Sequence, residues 1–260
     1  MSNQVAVDFS LVSHGHGDLV RQSLASLAES LQHSHLKTRV LLTLNLPEPE
    51  LEAQLHAQKW PFELTFLRNA QPLGFGANHN QAFRASQAQW FGVINPDVFW
   101  PQDSWFWQPL AQDAWPSHVG LVCPEQLGAN GQRQDYARRL ITPIQLLRRV
   151  ALRFVGVAPS AQAMDLAQAD WVNGACMFFK TEVFENLQGF DERFFMYCED
   201  TDICLRLQLA GWSIAPMGGA VVHDAQRNTG RKWRHLAWHV QSLWRLWWSA
   251  PYRQFNSRYR

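Results

Sequence analysis

The sequence predicts an α/β fold built around one mixed, mainly parallel sheet. Two observations carry that prediction. Short β-prone apolar runs alternate with stretches of helical periodicity through the first hundred residues, and several of the runs end in turns rich in Gly, Asn or Pro. With 260 residues and 47% hydrophobic side chains, the chain can fill a sizeable core. Parallel strands joined by right-handed crossovers place ligands beyond their carboxyl ends, so the turns after the strands are where function is sought.

The elements follow in order. VAVDFSLV (5–12) is the first strand, SHGHGD turns the chain, and LVRQSLASLAESL sets Leu19, Val20, Leu24, Leu27, Ala28 and Leu31 at helical spacing. RVLLTLNL (39–46) is a second strand, PEPELEAQLHAQ a helix and FELTFLRN (62–69) a third strand. PLGFGANHNQAFRASQ is a Gly/Asn-rich turn opening a helix, and WFGVINPD is a fourth strand. That strand has to stop at Pro96, which has no amide donor, so Asp97 falls on the turn at the sheet's carboxyl edge. Taken alone, the tripeptide more often has such an Asp as the cap of the next helix or turn. Next come SWFWQPLAQDA as a helix, GLVCPEQL as a strand and GANGQRQD as a hairpin turn. ARRLITPIQLLRRVALRF (137–154) is a basic helical stretch interrupted or started by Pro143, and ADWVNGACMFFKTEVFENLQGFDERF continues as strand, helix and turn. With no internal repeat or low-complexity linker, residues 1–225 are expected to form one compact domain and 226–260 an appendage.

Cys123, Cys176, Cys198 and Cys204 form no CxxC pair, which speaks against a zinc ribbon or a disulfide framework and for buried thiols. The start, MSNQVAVDFSLVSHG, has neither a basic n-region nor an apolar h-region, and no apolar run is long enough to span a bilayer. A cytoplasmic protein is expected. The net charge of +1 hides an asymmetry: residues 225–260 hold eight basic residues and no acid, so all 22 acids lie in the body.

Three segments carry chemistry. In YCEDTDICLRLQLAGW, Glu199, Asp200 and Asp202 fall in a first helical turn, where the macrodipole favours acids, and Arg206 follows Asp202 at i+4. Three acids in four positions exceed what one cap requires, and a partly buried one has the raised pKa that suits a general base. In WVNGA, Gly174 permits close backbone approach, either beneath a bound sugar or pyrophosphate or for tight packing. In VVHD, His223 stands just past an apolar strand, where a neutral imidazole can bind a metal, although a lone histidine is more often structural.

Taken together, SLVSHGHGDLVRQSLASL, PLGFGANHNQAF, WFGVINPDV, DWVNGACMFFKTEVFENLQGFDERFFMYCEDTDICLRLQLAGW and VVHDAQ resemble, in that order, the family 2 glycosyltransferases and their bacterial rhamnosyltransferase-like branch. The resemblance implies a GT-A fold: a Rossmann-like nucleotide-binding half joined to an acceptor-binding half. It implies transfer of a sugar from a nucleotide diphosphate donor, with inversion; for this branch, rhamnose from dTDP-rhamnose in assembly of a surface polysaccharide such as O-antigen. Asp97 matches the last carboxylate of the family's metal-binding DxD motif, and Asn95 stands where its first Asp often does. Asp97 and His223 are thus the implied ligands of Mg²⁺ or Mn²⁺, which would bridge the donor phosphates. Asp200 matches the catalytic base, and Glu199 is placed to contact the acceptor or orient Asp200. Ser13 and His14 follow the first strand where the family holds nucleobase and ribose; Gly74, Gly76, Ala77, Asn78 and Asn80 resemble its second nucleotide loop. Asn45 replaces the Asp that usually reads the base. Arg206 either pairs with Asp202 or meets a phosphate.

The tail adds a possible partner. Trp233, Leu236, Ala237, Val240, Leu243, Trp244 and Trp247 follow one helical stripe with a basic opposite face, the pattern of a helix lying in a membrane interface. Packing on the catalytic domain or a homodimer contact fits the same stripe, and nucleic acid is the poorer partner because the body is net acidic. Such a helix would bring a peripheral enzyme to the inner leaflet, where a lipid-linked or glycan acceptor is met. A catalytically silent nucleotide- or glycan-binding scaffold is the competing class, and retention of both Asp97 and Asp200 argues against it.

Overall fold

A computed structural model describes residues 6–154, 164–224 and 232–259. The chain forms β1 (Ala6–Ser13), α1 (Gly17–Leu31), β2 (Lys37–Leu44), α2 (Pro49–His56), β3 (Glu63–Arg68), α3 (Phe75–Phe83), β4 (Trp90–Ile94) and β5 (Val98–Phe99). A 3-10 turn (Ser104–Trp107) leads into α4 (Gln108–Ala111), followed by β6 (Val119–Leu127), β7 (Ala137–Arg138) and α5 (Pro143–Phe154). A second 3-10 turn (Leu166–Gln168) precedes β8 (Trp171–Val172), β9 (Cys176–Lys180), α6 (Thr181–Asn186), α7 (Glu199–Leu209), β10 (Ser213–His223), α8 (Lys232–Trp248) and α9 (Ala250–Tyr259).

Eight strands make one sheet in the order β3-β2-β1-β4-β9-β6-β10-β5. The first four run parallel, as alternation of strands and helices requires, and β9 is inserted antiparallel between β4 and β6. β10 pairs parallel with β6 and antiparallel with β5. β7 and β8 form a small separate ladder. The period-two alternation of the strands divides the core between the two faces. Phe9, Trp90 and Phe178 pack with Trp107 and the leucines of α1 on one side; Phe91, Met177 and Phe179 pack with Phe184 and α7 residues Ile203 and Leu207 on the other. Full burial of each such side chain stabilises by about 2–3 kcal/mol before the entropy of ordering it is counted.

Several expectations are refined. SWFWQPLAQDA gives a 3-10 turn and a single helical turn, because Pro109 falls at the start of α4. Pro143 starts α5 rather than interrupting it. GANGQRQD does reverse the chain, with Leu127 bridged to Arg133 and the Gln134 amide donating to Gln126. The basic tail is two helices, not one: α8 ends at Trp248 and α9 starts two residues later, with Pro251 in its first turn. Its apolar stripe also divides. Leu243 and Trp247 turn inward to a third core cluster with Leu140, Phe194, Leu205, Leu246, Tyr252 and Phe255, while Trp233, Leu236, Val240 and Trp244 remain exposed. Ala225 and Gln226 of VVHDAQ lie outside the described residues.

All four cysteines are buried and unpaired. Burial holds their thiols above the ordinary range, so they act as core residues.

Candidate active site

The site is assembled at the carboxyl edge of β4 around the turn Asn95-Pro96-Asp97. β4 ends where Pro96 denies the ladder a donor, and the Asn95 amide donates instead to the Ala175 carbonyl (2.8 Å) at the start of β9. One residue earlier, the Gly174 amide donates to Asp200 Oδ2 at 3.1 Å. The segment 173–175 therefore joins the NPD turn to the first turn of α7, two regions a hundred residues apart in sequence.

Asp97 faces His223. His223 Nε2 lies 3.4 Å from Asp97 Oδ1, and that oxygen is buried without a hydrogen-bond partner. The antiparallel pairing of His223 with Val98 and the Asp224 amide bond to the Asp97 carbonyl (3.0 Å) fix this approach. Gln134 orients the ring: its Nε2 donates to the His223 carbonyl at 2.7 Å, and its Oε1 lies 2.8 Å from His223 Nδ1. A backbone carbonyl only accepts, so the amide orientation is fixed, Nδ1 carries a hydrogen, and Nε2 is the nitrogen left for a ligand. No group of three or more His, Cys, Asp or Glu side chains that could hold a metal occurs among the described residues. An oxygen and an imidazole nitrogen side by side, with the oxygen otherwise unsatisfied, fit a divalent cation that completes its shell from phosphate and water.

The carboxylates of α7 sit in different environments. Asp200 is half-buried and accepts from the Gly174 amide and, through Oδ1, from the Thr201 amide at 2.7 Å. Burial raises its pKa, and these two amides and the Arg138 charge oppose the rise. Glu199 is 5% exposed and its Oε2 has no hydrogen-bond partner. Burial, then the Asp200 charge, pushes its pKa well above the ordinary carboxylate range. Both carboxyls are thus held above the ordinary range, but Asp200 faces two amide donors that favour its anion, whereas Glu199 Oε2 has no such donor. Asp202 is buried against Arg206 Nε at 2.7 Å.

The residues expected at the donor divide. Ser13 and His14 close β1 beside the end of β2, but the Asn45 amide is spent on the protein: Nδ2 bonds the Leu73 carbonyl (3.0 Å) and His14 Nδ1 (3.1 Å), and Oδ1 accepts from the Leu73 amide (2.8 Å) and Asn69 (2.8 Å). Base reading by this side chain gives way to loop anchoring. Asn78 is buried on Leu73, Gly74 and Asn69, and Asn80 binds both backbone groups of Phe190. Arg206 donates to the carbonyls of Leu187 (2.6 Å) and Gly189 (2.8 Å) besides Asp202, which commits its guanidinium to the Gly189 loop and away from a phosphate. Gly74 and Gly76 answer close protein packing, since a Cβ at Gly74 would lie 2.5 Å from the Phe195 carbonyl and one at Gly76 2.6 Å from Phe190 Cβ. Ala77 and the NPD residue Asn95 are half-buried. Gln134, Arg138 and Asn173 were not legible as site residues: Asn173 Oδ1 accepts from Gln126 (2.8 Å), and all three are polar residues in turns or short strands, with no periodicity to mark them.

A parallel nucleotide-type half, an inserted antiparallel strand and carboxylates at the shared edge are the frame of a GT-A glycosyltransferase. The fold superposes on a mannosyltransferase from Pyrobaculum calidifontis, solved with GDP-Man and Mn²⁺, with a TM-score of 0.61 and 16% identity over 94% of this chain and 65% of that one. It superposes on GalNAc-T7, solved with UDP, GalNAc and Mn²⁺, with a TM-score of 0.63 and 14% identity over 88% of this chain and 45% of that one. The chain thus spans less than two-thirds of both solved structures. The sequence model described as "Glycosyltransferase like family 2" matches residues 21–241, and the chain belongs to that family. Among curated relatives, an N-acetylglucosaminyl-diphospho-decaprenol L-rhamnosyltransferase of Mycobacterium tuberculosis is 28% identical over 93% of this chain and 86% of its own length. Rhamnosyltransferase WbbL of Escherichia coli is 25% identical over 90% of both chains. The chain is thus a family 2 glycosyltransferase that is similar to these rhamnosyltransferases.

Proposed function

We propose that the enzyme transfers rhamnose from dTDP-rhamnose, with inversion, to a polyprenyl-diphosphate-linked sugar during assembly of a surface polysaccharide. The observation that carries the mechanism is the placement of Asp200: a carboxylate with raised basicity, fixed by two backbone amides at the edge where the NPD turn ends β4. Asp200 takes the proton of the acceptor hydroxyl as its oxygen attacks the anomeric carbon from the face opposite the leaving nucleoside diphosphate. One base suffices for this single displacement. Glu199, whose pKa burial raises further, stands beside it to contact the acceptor or orient Asp200. Asp97 and His223 are the residues that would hold Mg²⁺ or Mn²⁺, which supplies neutralisation of the departing diphosphate. The donor and acceptor classes are supported by the names of the two rhamnosyltransferase relatives. With such an acceptor, the place of action is the inner-leaflet surface. No helix among the described residues is long and apolar enough to cross a membrane, so contact by these helices would be peripheral.

The test is release of nucleoside diphosphate from a panel of donors with N-acetylglucosaminyl-diphospho-prenol as acceptor. Turnover is expected with dTDP-rhamnose, with the product's anomeric configuration reversed. Turnover with another donor alone replaces the sugar; donor binding without turnover from any of them returns the chain to the scaffold class. Asp200→Asn is expected to lower kcat by about 10²–10⁴-fold with donor affinity kept; near-normal kcat removes Asp200 from the role of base.

A further inference from the structure

We propose that α8 is a two-faced docking element: its outward stripe rests on an anionic lipid surface, and its inward stripe braces the turn that carries Glu199 and Asp200. The second half rests on the reading of these two residues as the catalytic carboxylates.

Residues two apart on a helix point about 200° apart, so alternating assignments along α8 define opposite faces. Inward, His235 Nδ1 lies 2.8 Å from the Tyr197 hydroxyl, Trp238 stacks obliquely on Phe195 with ring centroids 5.1 Å apart, and His239 meets the Tyr197 ring edge-on at 5.0 Å. Ser242 Oγ donates to the Met196 carbonyl at 2.8 Å, and Arg245 donates to the carbonyl of Arg193. Every one of these contacts falls on residues 193–197.

That segment is under backbone strain. Tyr197 and Cys198 have φ of 73° and 68°, left-handed values that non-glycine residues rarely adopt and that persist only where surrounding contacts impose them. α7 and its carboxylates begin at the next residue. From the other side, the Phe195 carbonyl accepts from the Phe75 amide at 2.9 Å, so the turn is wedged between the loop opening α3 and the inward face of α8.

Outward, Trp233 (84% exposed), Leu236 (51%), Val240 (59%), Trp244 (63%) and Trp248 (62%) stand apart from the core of the described residues. Trp233, Leu236, Val240 and Trp244 line one open groove, so the strip is continuous. Its chemistry selects the occupant. Indoles favour headgroup depth, and an acid-free segment 225–260 that holds seven basic residues besides the inward Arg245 favours anionic lipid. A two-fold contact with a second copy would instead bring two such acid-free basic segments together.

The experiment uses the full chain. Flotation with vesicles of phosphatidylglycerol and phosphatidylcholine is expected to capture the wild type, and phosphatidylcholine alone to capture at least tenfold less. Val240→Glu and Trp244→Glu should each lower capture at least fivefold. His235→Ala should keep capture within twofold of wild type and lower kcat at least tenfold in detergent with dTDP-rhamnose and a short-chain N-acetylglucosaminyl-diphospho-prenol. His235→Asn, which keeps a polar group where Nδ1 stands, should recover most of that kcat. Equal capture of wild type and both Glu variants overturns the lipid face. Loss of a dimer in the Glu variants, by light scattering, with no vesicle capture by wild type assigns the strip to a second copy. Unchanged kcat in His235→Ala overturns the brace. Absence of turnover in wild type overturns the proposed reaction and not the docking face, which flotation reads without donor or acceptor.

Discussion

At the scale of single residues, the site is organised by which polar atoms lack a partner. Glu199 buries a carboxyl oxygen that nothing satisfies, and the pKa above its ordinary value of 4.5 follows from that burial. A carboxyl that prefers its proton in the folded state loses stability as pH rises from about 4.5 through its folded-state pKa, because the unfolded chain ionises freely there. Glu199→Gln keeps the shape and removes the ionisation. Its Tm is therefore expected to exceed that of wild type, by little at pH 4.5 and by more at pH 8, as scanning calorimetry at the two pH values would show. In its proposed role of base, Asp200 bears on activity with the opposite sense of pH: the anion would be the working form, so a raised pKa is expected to move the acid limb of kcat above the range of an ordinary aspartate at 3.8.

Gln134 is the residue-scale counterpart beside Asp97 and His223, the pair proposed to hold the cation. It fixes the tautomer and plane of His223 through two bonds, at 2.7 and 2.8 Å. Loss of such a support typically costs about 10–100-fold in metal affinity. Gln134→Ala is expected to weaken Mn²⁺ binding in the presence of nucleoside diphosphate by that factor, measured by calorimetry. Nitrogen NMR of His223 should show the Nδ1–H tautomer in wild type and a mixture in the variant. An unchanged tautomer would remove Gln134 from this role, whatever happens to activity. Nothing in GANGQRQD marks Gln134 in sequence, because its partner lies 89 residues away and no local period encodes such a contact.

At the scale of elements, periodicity made most of the fold legible. The alternation of β1 through β4 with helices, the acidic first turn of α7 and the strand end at Pro96 are local features, and local features are what a sequence displays. What was not legible is how loops are spent. Asn45 reads as a base-contacting amide by its position after β2, yet both of its polar ends anchor the loop at Leu73. Gly74 reads as a place for ligand approach, yet the backbone it approaches is its own chain's Phe195. An alanine there must displace the Phe195 carbonyl and, with it, the strained turn before Glu199. Gly74→Ala is expected to destabilise by about 1–3 kcal/mol and to lower kcat as well, because the displaced segment carries the carboxylates. Urea unfolding and steady-state kinetics on the same preparation check both parts; destabilisation with unaltered kcat would separate the loop from the site.

At the scale of the whole molecule, the sheet has two ends with different tasks. The carboxyl ends of β1, β2 and β4 carry the site, whereas the amino ends carry a buried ion pair that touches no site residue. Asp8 accepts from Arg39 at 2.6 and 3.1 Å, from Ser86 Oγ at 2.8 Å and from the Gln87 amide at 3.1 Å. These bonds tie β1, β2 and the end of the α3 connection into one base, on which the ladder of the parallel half is registered. Removing Arg39 leaves a carboxylate that is almost fully buried, with two neutral donors and no cation, and breaking a buried pair in this way costs about 3–5 kcal/mol. Arg39→Met is accordingly expected to lower the urea midpoint strongly. The turnover per folded molecule should stay near wild type, because Asp97, Glu199, Asp200 and His223 all lie at the other end. Equal loss of kcat and stability would mean that the two ends of the sheet are coupled. Loss of stability alone would show that the parallel half supports the carboxyl edge as a rigid platform, with the chemistry set by the turns, α7 and α8.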